Sequence, residues 1–162
     1  MVMPPFRVGM GYDAHRLVAD RRLVLGGVTI PHSTGLLGHS DADVVVHVII
    51  DALIGAANLG SIGLLFPDSD PQYKGIASIR LLEIVMARVR ATGYELGNVD
   101  VVVVAQKPKI MPYREAMITT VAGVLGGDVS QVSIKATTTE TLGFEGREEG
   151  ISAHAVAIIY RV

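Results

Sequence analysis

The stretch Gly38-His39-Ser40-Asp41-Ala42-Asp43-Val44-Val45-Val46-His47-Val48-Ile49-Ile50-Asp51 decides how the chain is read. Its β-branched residues suit a strand by propensity. As a strand, however, it places Asp43, Val45, His47, Ile49 and Asp51 on one face, polar among apolar. As a helix it spaces Asp43, His47 and Asp51 by one turn each, a polar stripe on an apolar cylinder. Ser40 or Asp41 is the expected N-cap, and Ala52, Leu53, Ala56 and Ala57 continue the run as good helix formers. The spacing predicts a helix from about Ala42 to Ala57. Ionisable groups on a mostly buried helix are costly without partners, so partners are expected elsewhere in the chain.

The 162 residues are enough for one domain with a proper core, and no linker, repeat or low-complexity tract divides them. With 49% hydrophobic and 19% charged residues and 18 glycines, the composition suits a compact α/β protein. The absence of cysteine excludes disulfides and thiolate metal ligands. A net charge of -2 argues against a strongly basic nucleic-acid surface, and 5% aromatics argue weakly against base-stacking platforms. No secretory h-region or transit-like start is visible, and His47, Asp51 and Asp100 interrupt the apolar runs before they reach membrane-spanning length. A soluble, cytoplasmic protein without membrane or nucleic-acid partners is expected.

Working outward from the helix, Phe6 to Asp13 reads as a first strand. Leu23 to Ile30 reads as a hairpin turning at Gly26-Gly27, and His32 to Gly38 as a loop feeding the helix. Asn58 to Gly75 is turn-rich, with a second helix from about Ser78 to Arg90 stopped by Gly93. Asn98 to Gln106 is a strand whose valine run suggests burial on both faces. A third helix runs from Pro112 or Tyr113 to Gly126-Gly127, followed by a strand at Val132 to Thr137, a loop at Thr138 to Gly150 and a last strand from Ile151 to Arg161. The order predicts an α/β layer sandwich, a mixed β-sheet packed against α-helices.

Two constellations carry chemistry. Asp13 and His15, two apart at a strand end, point to one side; with His47 they make three ligands and leave a fourth position open, the pattern of a catalytic zinc. A satisfied core histidine reads His47 equally well, and solvent-facing helix polarity reads Asp43 and Asp51. Thr137, Thr138, Thr139 and Glu140 end a strand with hydroxyls and N–H groups suited to phosphate, and Glu140 suits a hard divalent cation. A β-rich threonine run ending in a turn explains them too. Lys107 and Lys109, flanking Pro108, are either phosphate ligands or solvated loop lysines. Arg147, Glu148 and Glu149 form a mixed-sign cluster of the kind usual on surfaces. No phosphate-binding P-loop, nucleophile elbow or H-E-x-x-H pair occurs, which favours metal-assisted chemistry without a covalent nucleophile.

In chain order, G-Y-D-A-H (Gly11 to His15), G-H-S-D-A-D (Gly38 to Asp43) with His47, L-F-P-D-S-D-P (Leu65 to Pro71), G-N-V-D (Gly97 to Asp100), A-Q-K-P-K (Ala105 to Lys109) and K-A-T-T-T-E-x-L-G-F-x-G-R-x-E-G (Lys135 to Gly150) resemble the 2-C-methyl-D-erythritol 2,4-cyclodiphosphate synthases of the non-mevalonate isoprenoid pathway. The resemblance spans about Arg7 to Tyr160. It implies conversion of 4-diphosphocytidyl-2-C-methyl-D-erythritol 2-phosphate into the cyclic diphosphate and CMP by a homotrimer with active sites between subunits. It implies zinc on Asp13, His15 and His47, magnesium or manganese on Glu140, and transition-state stabilisation by His39 and Thr138. It further implies a cytidine pocket walled by Ala105, Gln106, Lys107, Pro108, Lys109, Ile110 and Met111 with Thr137 to Glu140. Substrate contacts are implied at Ala14 and Ser40, and ribose and erythritol contacts at Ser61, Ile62, Gly63, Phe66, Pro67, Asp68, Ser69 and Asp70. Phe144 and Arg147 match positions near the phosphates and the trimer axis.

In such a reaction the substrate supplies its own nucleophile, so the protein needs geometry and charge neutralisation more than a reactive side chain. Ser61 departs from the resemblance, standing where an aspartate more often contacts the ribose, and His154 stands where some relatives carry an acid. Two rival readings share the metal site or the fold: a metal-dependent phosphoesterase releasing linear products, and a non-catalytic trimer binding nucleotides or isoprenoid diphosphates.

Overall fold

The computed structural model describes residues 4–67 and 69–162. Fourteen-residue strand β1 (Phe6–Ala19) is followed by β2 (Leu23–Leu25), β3 (Val28–Ile30), β4 (Thr34–Leu36), α1 (Val44–Ala57), the short α2 (Ile62–Leu65) and α3 (Ser78–Ala91). Then come β5 (Tyr94–Val104), α4 (Arg114–Leu125), β6 (Val132–Thr137), the short α5 (Gly143–Gly146) and β7 (Gly150–Arg161). Five strands form one mixed sheet in the order β4-β1-β7-β5-β6, with only β5 and β6 parallel. Strands β2 and β3 form a separate hairpin. The predicted layer sandwich is what the chain adopts.

Helix α1 lies across β1 and β7, and α3 packs behind it with α4 against β6. The sheet is shaped to receive α1. Gly9 and Gly11 of β1 pair with Ala157 and Ala155 of β7, so the rows under the helix carry almost no side-chain height. A Cβ at Gly11 would lie 2.1 Å from the Val48 carbonyl oxygen, and one at Gly9 would lie 1.9 Å from that of Ala52. The helix backbone itself therefore rests on the strand. Covered by sheet on one side and α3 on the other, α1 buries eleven of its 14 residues. That burial overrides the strand propensity of Val44 to Val46 and Val48 to Ile50.

The N-cap of α1 is Asp43 rather than Ser40 or Asp41, because its carboxylate accepts from the Val46 N–H at 3.1 Å. Asp43 is also fully buried, not solvent-facing. It accepts from the N–H groups of Gly26 and Gly27 at 2.9 and 2.6 Å, at the β2–β3 turn where both glycines have positive φ. One carboxylate thus ties the hairpin to the start of α1, and burial pushes its pKa up to about 6 against the pull of those donors.

Other sequence boundaries shift for long-range reasons. Strand β1 runs six residues beyond Asp13 because β7 pairs with it as far as Arg16 and β4 pairs with Leu17 to Ala19. The same pairing turns part of the expected His32–Gly38 loop into β4. Strand β5 ends at Val104, and short helices interrupt the two expected loops at α2 and α5. Val99, Val101 and Val103 are buried under the helices, whereas Val102 and Val104 are only half-buried on the opposite face. That face holds an apolar surface that the chain leaves open, with Phe6, Val8, Met10, Tyr12, Val156 and Tyr160 exposed. The Tyr12 and His154 rings meet on it at 4.8 Å. Among the described residues no helix is long and apolar enough to cross a membrane.

Gly11→Ala forces the α1 backbone away from β1. An overpacking cost of about 3 kcal/mol in urea unfolding is expected, together with weaker divalent-cation binding as His47 withdraws from Asp13. Unchanged stability would show that the helix seat is more compliant than its contacts.

Candidate functional site

Alternation along β1 points Asp13 and His15 to the helix side, beyond the glycine seat, and α1 brings His47 down beside them. The three ligand atoms converge. Asp13 Oδ2 lies 2.9 Å from His15 Nε2 and 3.0 Å from His47 Nδ1, and the two ring nitrogens are 3.1 Å apart. Burial works to raise the Asp13 carboxyl, but hydrogen bonds and charge from His15 and His47 overcome it and hold the group well below the usual carboxylate range. Burial works to lower His15, yet the Asp13 carboxylate wins and raises it above the ordinary histidine value.

The outer nitrogens of both histidines are also engaged. His15 Nδ1 lies 2.8 Å from the Leu37 carbonyl oxygen, which can only accept, so Nδ1 donates there and Nε2 is the nitrogen turned inward to Asp13. His47 Nε2 lies 2.9 Å from Ser78 Oγ and 3.2 Å from Ser40 Oγ. Two oriented imidazoles and a carboxylate fit a divalent cation, with room left for a further ligand. The expected stripe of Asp43, His47 and Asp51 divides: only His47 joins the triad. Asp51 is half-buried and its carboxylate accepts from the Ile62 N–H at 3.1 Å, fastening the start of α2.

The triad borders a cavity of about 280 Å³ that also touches His39, Ser40, Ile62, Gly63 and Phe66. His39 Nε2 is enclosed there with no hydrogen-bond partner among the described residues. Ser61 sits exposed just before α2 and its hydroxyl makes no capping bond. Pro67 and Ser69 are exposed, Asp70 accepts from the Gln72 N–H at 3.0 Å, and Asp68 lies outside the described residues. Tyr73, Ile76 and Leu81 also line this cavity. Sequence reading missed them because apolar residues after a turn carry no local sign of lining a site.

A second cavity, of about 490 Å³, is separate from the first. Ala105, Gln106, Pro108, Lys109, Ile110 and Met111 form one side, and Thr137, Thr138 and Glu140 the other. The chain turns sharply at Glu140 and Thr141, both with positive φ. Thr138 Oγ1 donates to Glu140 Oε1 at 3.0 Å, and the Thr139 hydroxyl donates to the Leu142 carbonyl. Lys107 is turned to Glu148 at 3.1 Å rather than into the cavity. Ala14 and Phe144 meet at a third, smaller hollow, and Arg147 forms a two-pronged pair with Glu149. Within one chain, then, Glu140 and the triad belong to different cavities.

Protons compete with a cation for the triad, so the apparent affinity falls on acidification, by about tenfold per unit for each proton displaced. Because the Asp13 carboxylate raises His15 above the ordinary histidine value, the fall sets in at a higher pH than for an unpaired histidine ligand. Chelator-competition titrations across about pH 5 to 8 test this, and a flat profile would remove His15 from the ligand set.

A profile of the YgbB family matches residues 6–160. The 2-C-methyl-D-erythritol 2,4-cyclodiphosphate synthase of Desulforamulus reducens is 60% identical over 153 residues, 94% of this chain and 98% of that protein. The synthase of the same name from Syntrophotalea carbinolica is 58% identical over 153 residues, 94% of this chain and 93% of that one. Among solved structures, IspF of Plasmodium falciparum in its CDP complex superposes with a TM-score of 0.86 at 34% identity, covering 99% of both chains. The bifunctional IspDF of Campylobacter jejuni superposes at 0.93 with 41% identity, covering 97% of this chain and 42% of that longer one. From its sequence as much as from its backbone, the chain belongs to the YgbB family.

Proposed function

We propose that the protein is a 2-C-methyl-D-erythritol 2,4-cyclodiphosphate synthase, cyclising 4-diphosphocytidyl-2-C-methyl-D-erythritol 2-phosphate with release of CMP, and that its 162 residues act as one catalytic domain. The observation that carries this reading is the convergence of Asp13, His15 and His47 beside an open cavity in a chain that keeps the fold and length of its synthase relatives. An oxygen of the 2-phosphate forms a bond to the β-phosphorus, the bond from that phosphorus to the α–β bridging oxygen breaks, and CMP departs with the electron pair. Zinc on Asp13, His15 and His47, and magnesium or manganese on Glu140, would supply charge neutralisation and orientation for the crowded phosphates.

The chain's own residues do the rest. The His39 ring, whose Nε2 has no partner among the described residues, can donate to phosphate oxygens as charge shifts in the transition state, and so can the Thr138 hydroxyl once it turns from Glu140 Oε1. Thr137 to Thr139, Gln106, Lys109 and neighbouring backbone form a wall for the cytidine. Ser61 to Gly63 offer a hydroxyl and backbone groups to the ribose, while Phe66 and the turn after it hold the erythritol. This division of labour needs two chains, since the triad and the nucleotide wall occupy different cavities of one. The open apolar sheet face supports assembly as a homotrimer with each site completed by a neighbour. Phosphorylated substrates and products do not cross bilayers unaided, which supports a cytoplasmic setting.

Phosphorus NMR of the protein with the diphosphocytidyl substrate and magnesium, before and after zinc is stripped, tests the reading. A cyclic diphosphate with CMP, lost on stripping and restored by zinc, is expected. Linear phosphates would establish a phosphoesterase instead, and bound nucleotide without turnover a binding protein. A second expectation concerns Ser61, a neutral group facing a sugar hydroxyl. Ser61→Asp should tighten CMP binding by about fivefold in calorimetry, as charge-assisted hydrogen bonds are roughly twice as strong as neutral ones. Equal affinities would mean that Ser61 does not meet the ribose.

A further inference from the structure

The two histidines of the triad are secured differently. His15 is held by a main-chain carbonyl, whereas His47 is held by a chain of side chains that leads to another helix. Ser78, the first residue of α3, is fully buried, and its Oγ lies 2.9 Å from His47 Nε2. On its other side Ser78 Oγ donates to Asp41 Oδ1 at 2.5 Å, and the Ser78 N–H donates to Asp41 Oδ2 at 3.1 Å. Ser40 Oγ, also buried, stands 3.1 Å from Ser78 Oγ and accepts from the Ala42 N–H at 3.1 Å.

The protons around Ser78 Oγ have one consistent arrangement. An ionised carboxylate only accepts, so the Ser78 hydroxyl proton points to Asp41. The two lone pairs left on Ser78 Oγ then face the Ser40 hydroxyl and His47 Nε2, and both of those groups must donate. That places a proton on Nε2, so that Nδ1, which faces Asp13 Oδ2 at 3.0 Å and His15 Nε2 at 3.1 Å, is the nitrogen that binds a cation once its own proton is displaced. We propose that Ser78, locked by Asp41, is a positioning residue for the metal centre: it selects the His47 tautomer and ring orientation that present Nδ1 to the cation. The inference rests on the reading of the triad as a cation site and goes beyond it, because neither Ser78 nor Asp41 belongs to the triad.

The relay also makes the metal centre depend on where α3 begins. Asp41 fixes Ser78 through both hydroxyl and backbone, and Asp41 N–H in turn donates to the Ile76 carbonyl at 3.1 Å. The loop that precedes α1 and the turn that precedes α3 are thus stitched together directly behind His47.

Zinc affinity by chelator competition and the imidazole 15N spectrum of the metal-free protein test this together. In the wild-type chain Nε2 of His47 should carry a proton. Ser78→Ala should weaken zinc binding by about 10- to 100-fold, the usual effect of losing such an outer partner, and should mix the tautomers. Asp41→Asn, which keeps the shape of the relay without its charge, should fall between the two. A relay that serves folding alone would lower the unfolding midpoint of Ser78→Ala while leaving zinc affinity and tautomer unchanged, and that result overturns the proposal. So does an unprotonated Nε2 in the wild-type protein, which needs no variant to observe. No zinc binding by the wild-type chain would instead overturn the cation reading itself, and the relay with it.

Discussion

The close approach of α1 to β1 is the constraint on which the rest of the structure depends. Gly9 and Gly11 on one strand and the alanines opposite them on β7 leave a shallow bed, and the helix backbone settles into it. A helix this near the sheet cannot expose much of itself, so its β-branched residues become core and nearly every side chain is apolar. The same proximity is what lets a histidine from the helix reach a carboxylate and a second histidine on the strand. Packing and chemistry are set by one distance.

Polar groups at the head of α1 take up what the apolar packing leaves unsettled. Asp43 collects three N–H groups, Asp41 secures the first residue of α3, and Ser40 gives its backbone carbonyl to Arg21 at 3.0 Å. Buried polar groups without partners are costly, and a fully satisfied network in a low-dielectric interior is correspondingly specific. The motif from His39 to Asp43 is dense in residues that resemble catalysts, yet both aspartates in it are engaged in holding the fold.

Much of this was legible in the sequence. The one-turn spacing and the helix formers after Asp51 identified α1, Gly26-Gly27 identified the hairpin, and the strand at Val132 to Thr137 appeared with its bounds intact. The Asp13, His15 and His47 grouping was legible because strand and helix periods put each side chain on a definite face. What was not legible depends on contacts distant in sequence. Strand β4 and the far end of β1 exist through pairing, and Asp43 is a buried clamp because the β2–β3 turn arrives above it. Ser78 read as an ordinary helix start, since nothing local announces a histidine behind it. Nor could the sequence show that Glu140 and the triad border different cavities, which depends on the path of the whole sheet.

Strand β1 carries two unrelated inscriptions on alternate residues. Gly9, Gly11, Asp13 and His15 face the helix, while Phe6, Val8, Met10 and Tyr12 face away into the open apolar surface. Because the period is two, the two sets cannot be shifted independently. Substitutions on the outer set leave the inner one in place, so a change on that surface bears on what the sheet meets outside the chain and not on the helix bed. An insertion or deletion of one residue is different in kind. It would turn methionine and tyrosine into the helix bed and expel the aspartate and histidine in the same step, so this strand can diverge in spelling but not in length.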